Sequence, residues 1–109
     1  MPLIFLVGPR ACGKTTVGRT LARRLGLPFV DTDHFLHHQT GRTVAQIVAA
    51  EGWPGFRRLE SEALRATAGL HQTSGAVIAT GGGMVLDAQN RAFMREQGCV
   101  SYLSASAEA

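Results

Sequence analysis

Four short stretches of this chain carry residue types that do chemistry. The first, "GPRACGKTT" at residues 8–16, fits the spacing G-x-x-x-x-G-K-[ST], with Gly8, Gly13, Lys14 and Thr15 at the fixed positions. A glycine-rich turn between a strand and a helix aims backbone N–H groups at the helix's positive end, where a phosphate chain can be held. Lys14 can reach the terminal phosphate oxygens, and the Thr15 hydroxyl can hold Mg2+. The expected nucleotide contacts are Gly8, Arg10, Ala11, Cys12, Gly13, Lys14, Thr15 and Thr16. Such a loop leaves the acceptor open: water, a nucleotide, a protein or a small metabolite.

The other three stretches bear on that acceptor. "DTD" places Asp31 and Asp33 two residues apart, so on an extended chain their carboxylates share a side. One could hold metal-bound water while the other accepts a hydrogen bond from an attacking hydroxyl, since phosphoryl transfer asks mainly for positioning and charge stabilisation. "FRRLE" sets Arg57 and Glu60 three apart on one helix flank, where the guanidinium could clamp an anion and the carboxylate hold it in place. Gly81, Gly82 and Gly83 would let a ligand approach backbone N–H groups. Each stretch also has a bland reading: a strand-end Asp, a solvated flank such as Arg58 with Glu62, a flexible turn. His34, His37 and His38 stand at helical spacings without a further ligand nearby, so no histidine metal site is expected.

These residues need elements to position them. "LIFLV" at 3–7 is a continuous apolar run, as in a parallel strand buried on both faces. Val17, Leu21, Ala22 and Leu25 recur at helical spacing from Lys14 to Leu25, before Gly26 and Pro28. "PFVDTD" (28–33) reads as a second strand, and "HFLHHQTG" as a turn or two of helix closed by Gly41. Thr43 and Gln46 have capping-box spacing for a helix to about Ala50, and Pro54 opens another with Phe56, Leu59, Ala63, Leu64 and Thr67 on one face. "AVIAT" (76–80) is a third strand, Asp87 caps the helix "AQNRAFMREQ", Gly98 stops it, and "CVSYL" (99–103) is a fourth strand. Strands alternating with helices predict an α/β fold with a parallel sheet, and ligands then gather beyond the strands' carboxyl ends. The chain stops just after a strand, and one sheet face is expected to be bare.

Composition narrows the function classes. With 109 residues, 45% hydrophobic and 17% charged, the chain suits one compact domain. No apolar run spans a bilayer and no secretory signal is recognisable, so a cytoplasmic protein with no membrane partner is expected. Cys12 and Cys99 are expected as free thiols. The net charge of +3 comes from scattered arginines without aromatic interleaving, which does not suggest nucleic acid. Lys14 is the sole lysine.

Taken together, "GPRACGKTTVGRTLA", "FVDTD", "GWPGFRRLESEAL" and "VIATGGGMVL" resemble the shikimate kinase family, in order and across essentially the whole chain. The resemblance implies an α/β, three-layer P-loop kinase core with a parallel sheet, acting as a monomer. It implies transfer of the ATP γ-phosphate to the 3-hydroxyl of shikimate, with ATP and Mg2+ as cofactors. Carried over by residue, Lys14 would hold the β- and γ-phosphates, Thr15 would ligate Mg2+, and Asp31 would support the metal. Asp33 would bind the shikimate hydroxyls and serve as base, and Arg57 would pair with the shikimate carboxylate, steadied by Glu60. The Gly81–Gly83 turn would touch the substrate, while Trp53 and Phe56 would wall the pocket. Residues 1–109 are then one incomplete core domain, with the acceptor-binding helical segment at 34–70. Shikimate kinases continue into a further helix, an arginine-bearing lid, an adenine loop and another strand, so these residues alone are expected to bind weakly and turn over slowly. Ala11 stands where the family's loop usually has Gly; a positive φ there would cost on the order of 1 kcal/mol.

Three rivals stand beside this reading. Gluconate kinase shares the phosphate loop and a carboxylate-bearing second strand, without the F-R-x-x-E and G-G-G pairing. A regulatory module could use the same loop as a switch and phosphorylate nothing. The chain could also be an inactive kinase fragment.

Overall fold

The structure, a computed structural model, describes residues 2–8, 13–81 and 83–103. Arg10, Ala11, Cys12 and Gly82, all expected at the site, lie outside the described residues. Among the described residues, strands β1 (Leu3–Val7), β2 (Phe29–Asp31), β3 (Ala76–Ala79) and β4 (Cys99–Tyr102) form one parallel sheet in the order β2-β3-β1-β4. The apolar run of β1 explains its central place: Phe5 and Val7 face one side, Leu6 the other, and all three are buried.

Helix α1 (Lys14–Leu25) covers one face, where Leu6, Ala22, Leu27 and Val77 pack together. The stripe that faces the sheet differs from the expected one. Gly18 and Ala22 are buried, while Val17 and Leu25 are 42% and 46% exposed. The Phe29 ring lies against the Gly18 Cα, so the helix presents its smallest residues to the sheet and turns Val17 and Leu25 outward.

The opposite face is thicker. Leu64 and Ala68 from α3 (Val44–Leu70) and Met94 from α4 (Ala88–Gln97) pack on Leu3, Phe5, Val7, Ala76 and Ile78. The two helices expected around Pro54 are both present, running on as the two arms of α3 across a kink at Gly52, whose φ of 75° and ψ of 174° leave the helical region. Its start carries the expected capping box, with Gln46 N–H donating to Thr43 Oγ1 at 3.1 Å and Thr43 N–H to Gln46 Oε1 at 2.8 Å. Helix α2 (Thr32–Thr40) lies on α3 through Leu36, Ile47, Phe56 and Ala63. A short 3-10 helix, Met84–Leu86, leads into α4, which starts at the Asp87 cap as expected. At the sheet's edge, Cys99, a free thiol, and Ser101 pair in register with Ile4 and Leu6 and are exposed on the α1 side.

Candidate active site

The carboxyl ends of β1, β2 and β3 converge, and the site divides into two halves. After β1, Gly13 is the N-cap of α1 without a side-chain capping bond, and the first turn holds no acidic residue. The helix's leading N–H groups and partial positive charge are thus left to an external anion. Lys14 Nζ donates to the Gly8 carbonyl at 2.7 Å, which ties the two ends of the loop together. Thr15 and Thr16 are exposed beside it.

"DTD" does not run extended, and this corrects the expectation that its two carboxylates share a side. The strand ends at Asp31, whose Oδ1 accepts from Asp33 N–H at 2.9 Å and from His34 N–H at 3.2 Å as the N-cap of α2. An Asp able to cap starts the helix one residue later, and the two carboxylates separate. Asp31 lines a cleft of about 450 Å³ with Thr15, while Asp33 turns to Gly81. The Asp31 and Thr15 oxygens are hard donors suited to Mg2+, and Oδ2 of Asp31 takes no part in the cap. His34 and His38 line the same cleft, but His37 Nδ1 shares a hydrogen bond with the Arg42 carbonyl, so the three histidines do not meet.

The second half lies after β3. Thr80 Oγ1 donates to the Leu6 carbonyl at 2.9 Å and locks the end of β3 to β1. A Cβ on Gly81 would collide with the carboxylates of Glu60 and Asp33, and one on Gly83 would collide with the Arg57 guanidinium. Glycine is needed here because three charged side chains press on the backbone. Arg57 Nη1 bonds Glu60 Oε1 at 3.0 Å, and Glu60 is 2% exposed. Burial pushes the Glu60 carboxyl above its usual range and the negative Asp33 adds to this; the hydrogen bond and charge of Arg57 oppose both.

Arg57 also sits 5.4 Å from the Trp53 ring centroid and 5.6 Å from that of Phe56. Trp53, half exposed, stands edge-on to Phe56 at 5.9 Å. Phe56, expected as a pocket wall, is 4% exposed, packs with Leu36, Ile47 and Ala63 between α2 and α3, and lies beside Arg57.

Two residues escaped the sequence reading. Thr32, between the acidic pair, is buried and its hydroxyl has no partner among the described residues. Asn90 is buried at the start of α4 and bonded to α3. Its only sequence signal is a polar residue on the α4 stripe that also carries Met94.

Comparison with known proteins places the chain in one family. A family model described as shikimate kinase matches residues 10–109. "Shikimate kinase 2" of Dickeya chrysanthemi is 67% identical over 105 residues, which is 96% of this chain and 58% of that protein. The chain thus spans little more than half the length of the curated relatives it matches. Among solved structures, shikimate kinase from Acinetobacter baumannii in complex with shikimate superposes with a TM-score of 0.87 at 45% identity, covering 94% of this chain and 56% of that one. A gluconokinase from Sinorhizobium meliloti shares the fold at a TM-score of 0.60 and 23% identity, over 93% of this chain and 55% of its own.

Proposed function

Because this chain belongs to the shikimate kinase family, we propose that it supplies the phosphate loop and acceptor pocket for ATP-dependent phosphorylation of the 3-hydroxyl of shikimate. The products are shikimate 3-phosphate and ADP. The observation that carries this reading is the meeting of Arg57, Glu60 and Asp33 on Gly81 and Gly83, one strand away from the β1–α1 loop. That arrangement offers a cation for a carboxylate and a carboxylate for hydroxyls, side by side.

In this reading the α1 N-terminus and Lys14 bind the phosphate oxygens. Thr15 and Asp31 hold Mg2+, which when bound neutralises charge on the β- and γ-phosphates. Arg57 binds the shikimate carboxylate, and Glu60 keeps its guanidinium in place. Asp33 orients the 3-hydroxyl and takes its proton as the new O–P bond forms; the bond from the γ-phosphorus to the bridging oxygen breaks, and its electron pair leaves with ADP. Residues 34–70, within α2 and α3, form the acceptor-binding segment beside Asp33. Trp53 flanks it. The protein works as a cytoplasmic monomer. Among the described residues no helix is long and apolar enough to cross a membrane.

Trp53, the single tryptophan, gives the test. Its fluorescence is titrated with shikimate, with gluconate as control, alongside ADP release in a protein carrying this sequence at the family's full length. A saturable change with shikimate alone, and ADP release that depends on it, supports the reading. A response to gluconate, or a folded full-length protein that releases no ADP with shikimate, overturns it.

A further inference from the structure

Asn90 is 3% exposed in the first turn of α4, and its amide is bonded on every side. Nδ2 donates to the Ser61 hydroxyl on α3 at 3.0 Å and to the Met84 carbonyl at 3.3 Å. Oδ1 accepts from Arg65 Nη1 at 2.9 Å, and the Arg65 guanidinium is itself held 4.8 Å from the Phe93 ring centroid. A buried amide with both N–H groups and its oxygen engaged is a spacer of fixed length.

Its position gives that length a purpose. Ser61 follows Glu60 and stands one helical turn from Arg57. Met84 follows Gly83, whose Cα lies against the Arg57 guanidinium. The Asn90 amide therefore bridges from behind the same gap that Arg57 and Gly83 close at the front. Arg91 Nη1 already ties the 3-10 helix to α4 through the Val85 carbonyl, so what Asn90 adds is the link across to α3.

We propose that Asn90 is a positioning residue for the acceptor pocket. It fixes the separation between the Gly83–Met84 backbone and the Arg57–Glu60 turn of α3, and so sets acceptor affinity without touching the acceptor. The proposal rests on the functional reading above. Removal of the amide takes a partner from the Ser61 hydroxyl, the Met84 carbonyl and the Arg65 guanidinium, and with the bridge gone the glycine turn moves off Arg57. Helix α1, on the opposite face of the sheet, is untouched.

The test compares Asn90→Ala and Ser61→Ala with wild type in the full-length kinase. Asn90→Ala raises KM for shikimate about tenfold and leaves KM for ATP within about twofold, a split that a general loss of stability would not produce. Ser61→Ala, which cuts one of the two links to α3 and leaves the Arg65 bond, moves the same constant less, and the double variant is no worse than Asn90→Ala alone. A second readout does not need activity: in the chain itself, hydrogen exchange at the Met84 and Leu86 amides speeds up in the variants relative to α1. Equal rises in both KM values, or a lowered Tm with both unchanged, overturn the proposal. If wild type ignores shikimate, the functional reading fails, and the exchange rates alone decide whether the clamp exists: unchanged exchange in both variants overturns it. If Asn90→Ala does not fold, Ser61→Ala carries the same comparison.

Discussion

After β1, Gly13, Thr15 and Thr16 are exposed, and the helix N-terminus offers its N–H groups with no capping side chain in place. After β3, Glu60 is buried, Arg57 is already bonded to it and braced by two aromatic rings, and the glycine backbone is pressed by charged groups. The phosphate half is open before any ligand arrives, while the acceptor half is built in advance. The same contrast runs through the packing. The α1 face has a small buried cluster around Leu6, Ala22, Leu27 and Val77, whereas the α3–α4 face holds the main core. On the proposed reading, the acceptor-side residues also hold the fold together, whereas Thr15 and Thr16 on the phosphate side stand at the surface.

That contrast can be broken or sharpened by substitution. Arg57→Ala should lower shikimate affinity about a hundredfold and also cost about 2–3 kcal/mol of stability, because the buried Glu60 carboxylate loses its partner. A urea melt with unchanged midpoint would break the comparison. Lys14→Ala should cut kcat/KM about a hundredfold through lost charge on the phosphates. Its melting curve should shift by less than about 1 kcal/mol. A cost as large as that of Arg57→Ala would show that the loop, too, holds the fold together.

Gly83→Ala places a Cβ on the Arg57 guanidinium and should weaken shikimate binding about tenfold with little change in KM for ATP. The next test is pH. Burial and the charge of Asp33 raise the Glu60 carboxyl above 4.5, so the folded protein holds that proton more tightly than the unfolded chain. In the window above 4.5 this group's contribution to stability therefore falls as pH rises, and its penalty is absent below that window. Glu60→Gln removes this slope. A difference between wild type and Glu60→Gln that stays constant with pH would contradict the assignment. The smallest effect is expected for Thr32→Val, which trades an unpartnered buried hydroxyl for a methyl group and should be neutral or stabilising by up to about 1 kcal/mol in thermal melts.

What the sequence made legible was local. The span of α1 from Lys14 to Leu25, the Thr43 capping box and the Asp87 cap each follow from neighbours within a few residues, and the structure has them in place. The pairing of Arg57 with Glu60 is a one-turn relation and was equally readable. What failed depended on distant contacts. The inward stripe of α1 is decided by Phe29 against Gly18, a strand residue meeting a helix residue. Asp31 is at once the last residue of β2 and the cap of α2, and only the first role was read from the sequence. Asn90 gave almost no warning, since two of its three partners, Ser61 and Arg65, lie on α3, more than twenty residues earlier in the chain.

The bond from Lys14 to the Gly8 carbonyl has a practical side. Within residues 1–109 Lys14 is the sole lysine, so besides an amino terminus it is the amine that this stretch offers to acylating reagents. Acetylation there would erase the ammonium charge and crowd the very carbonyl that the side chain spans. One modified side chain per molecule would then equal one disabled loop, and mass spectrometry of an acylated sample would count the disabled molecules directly.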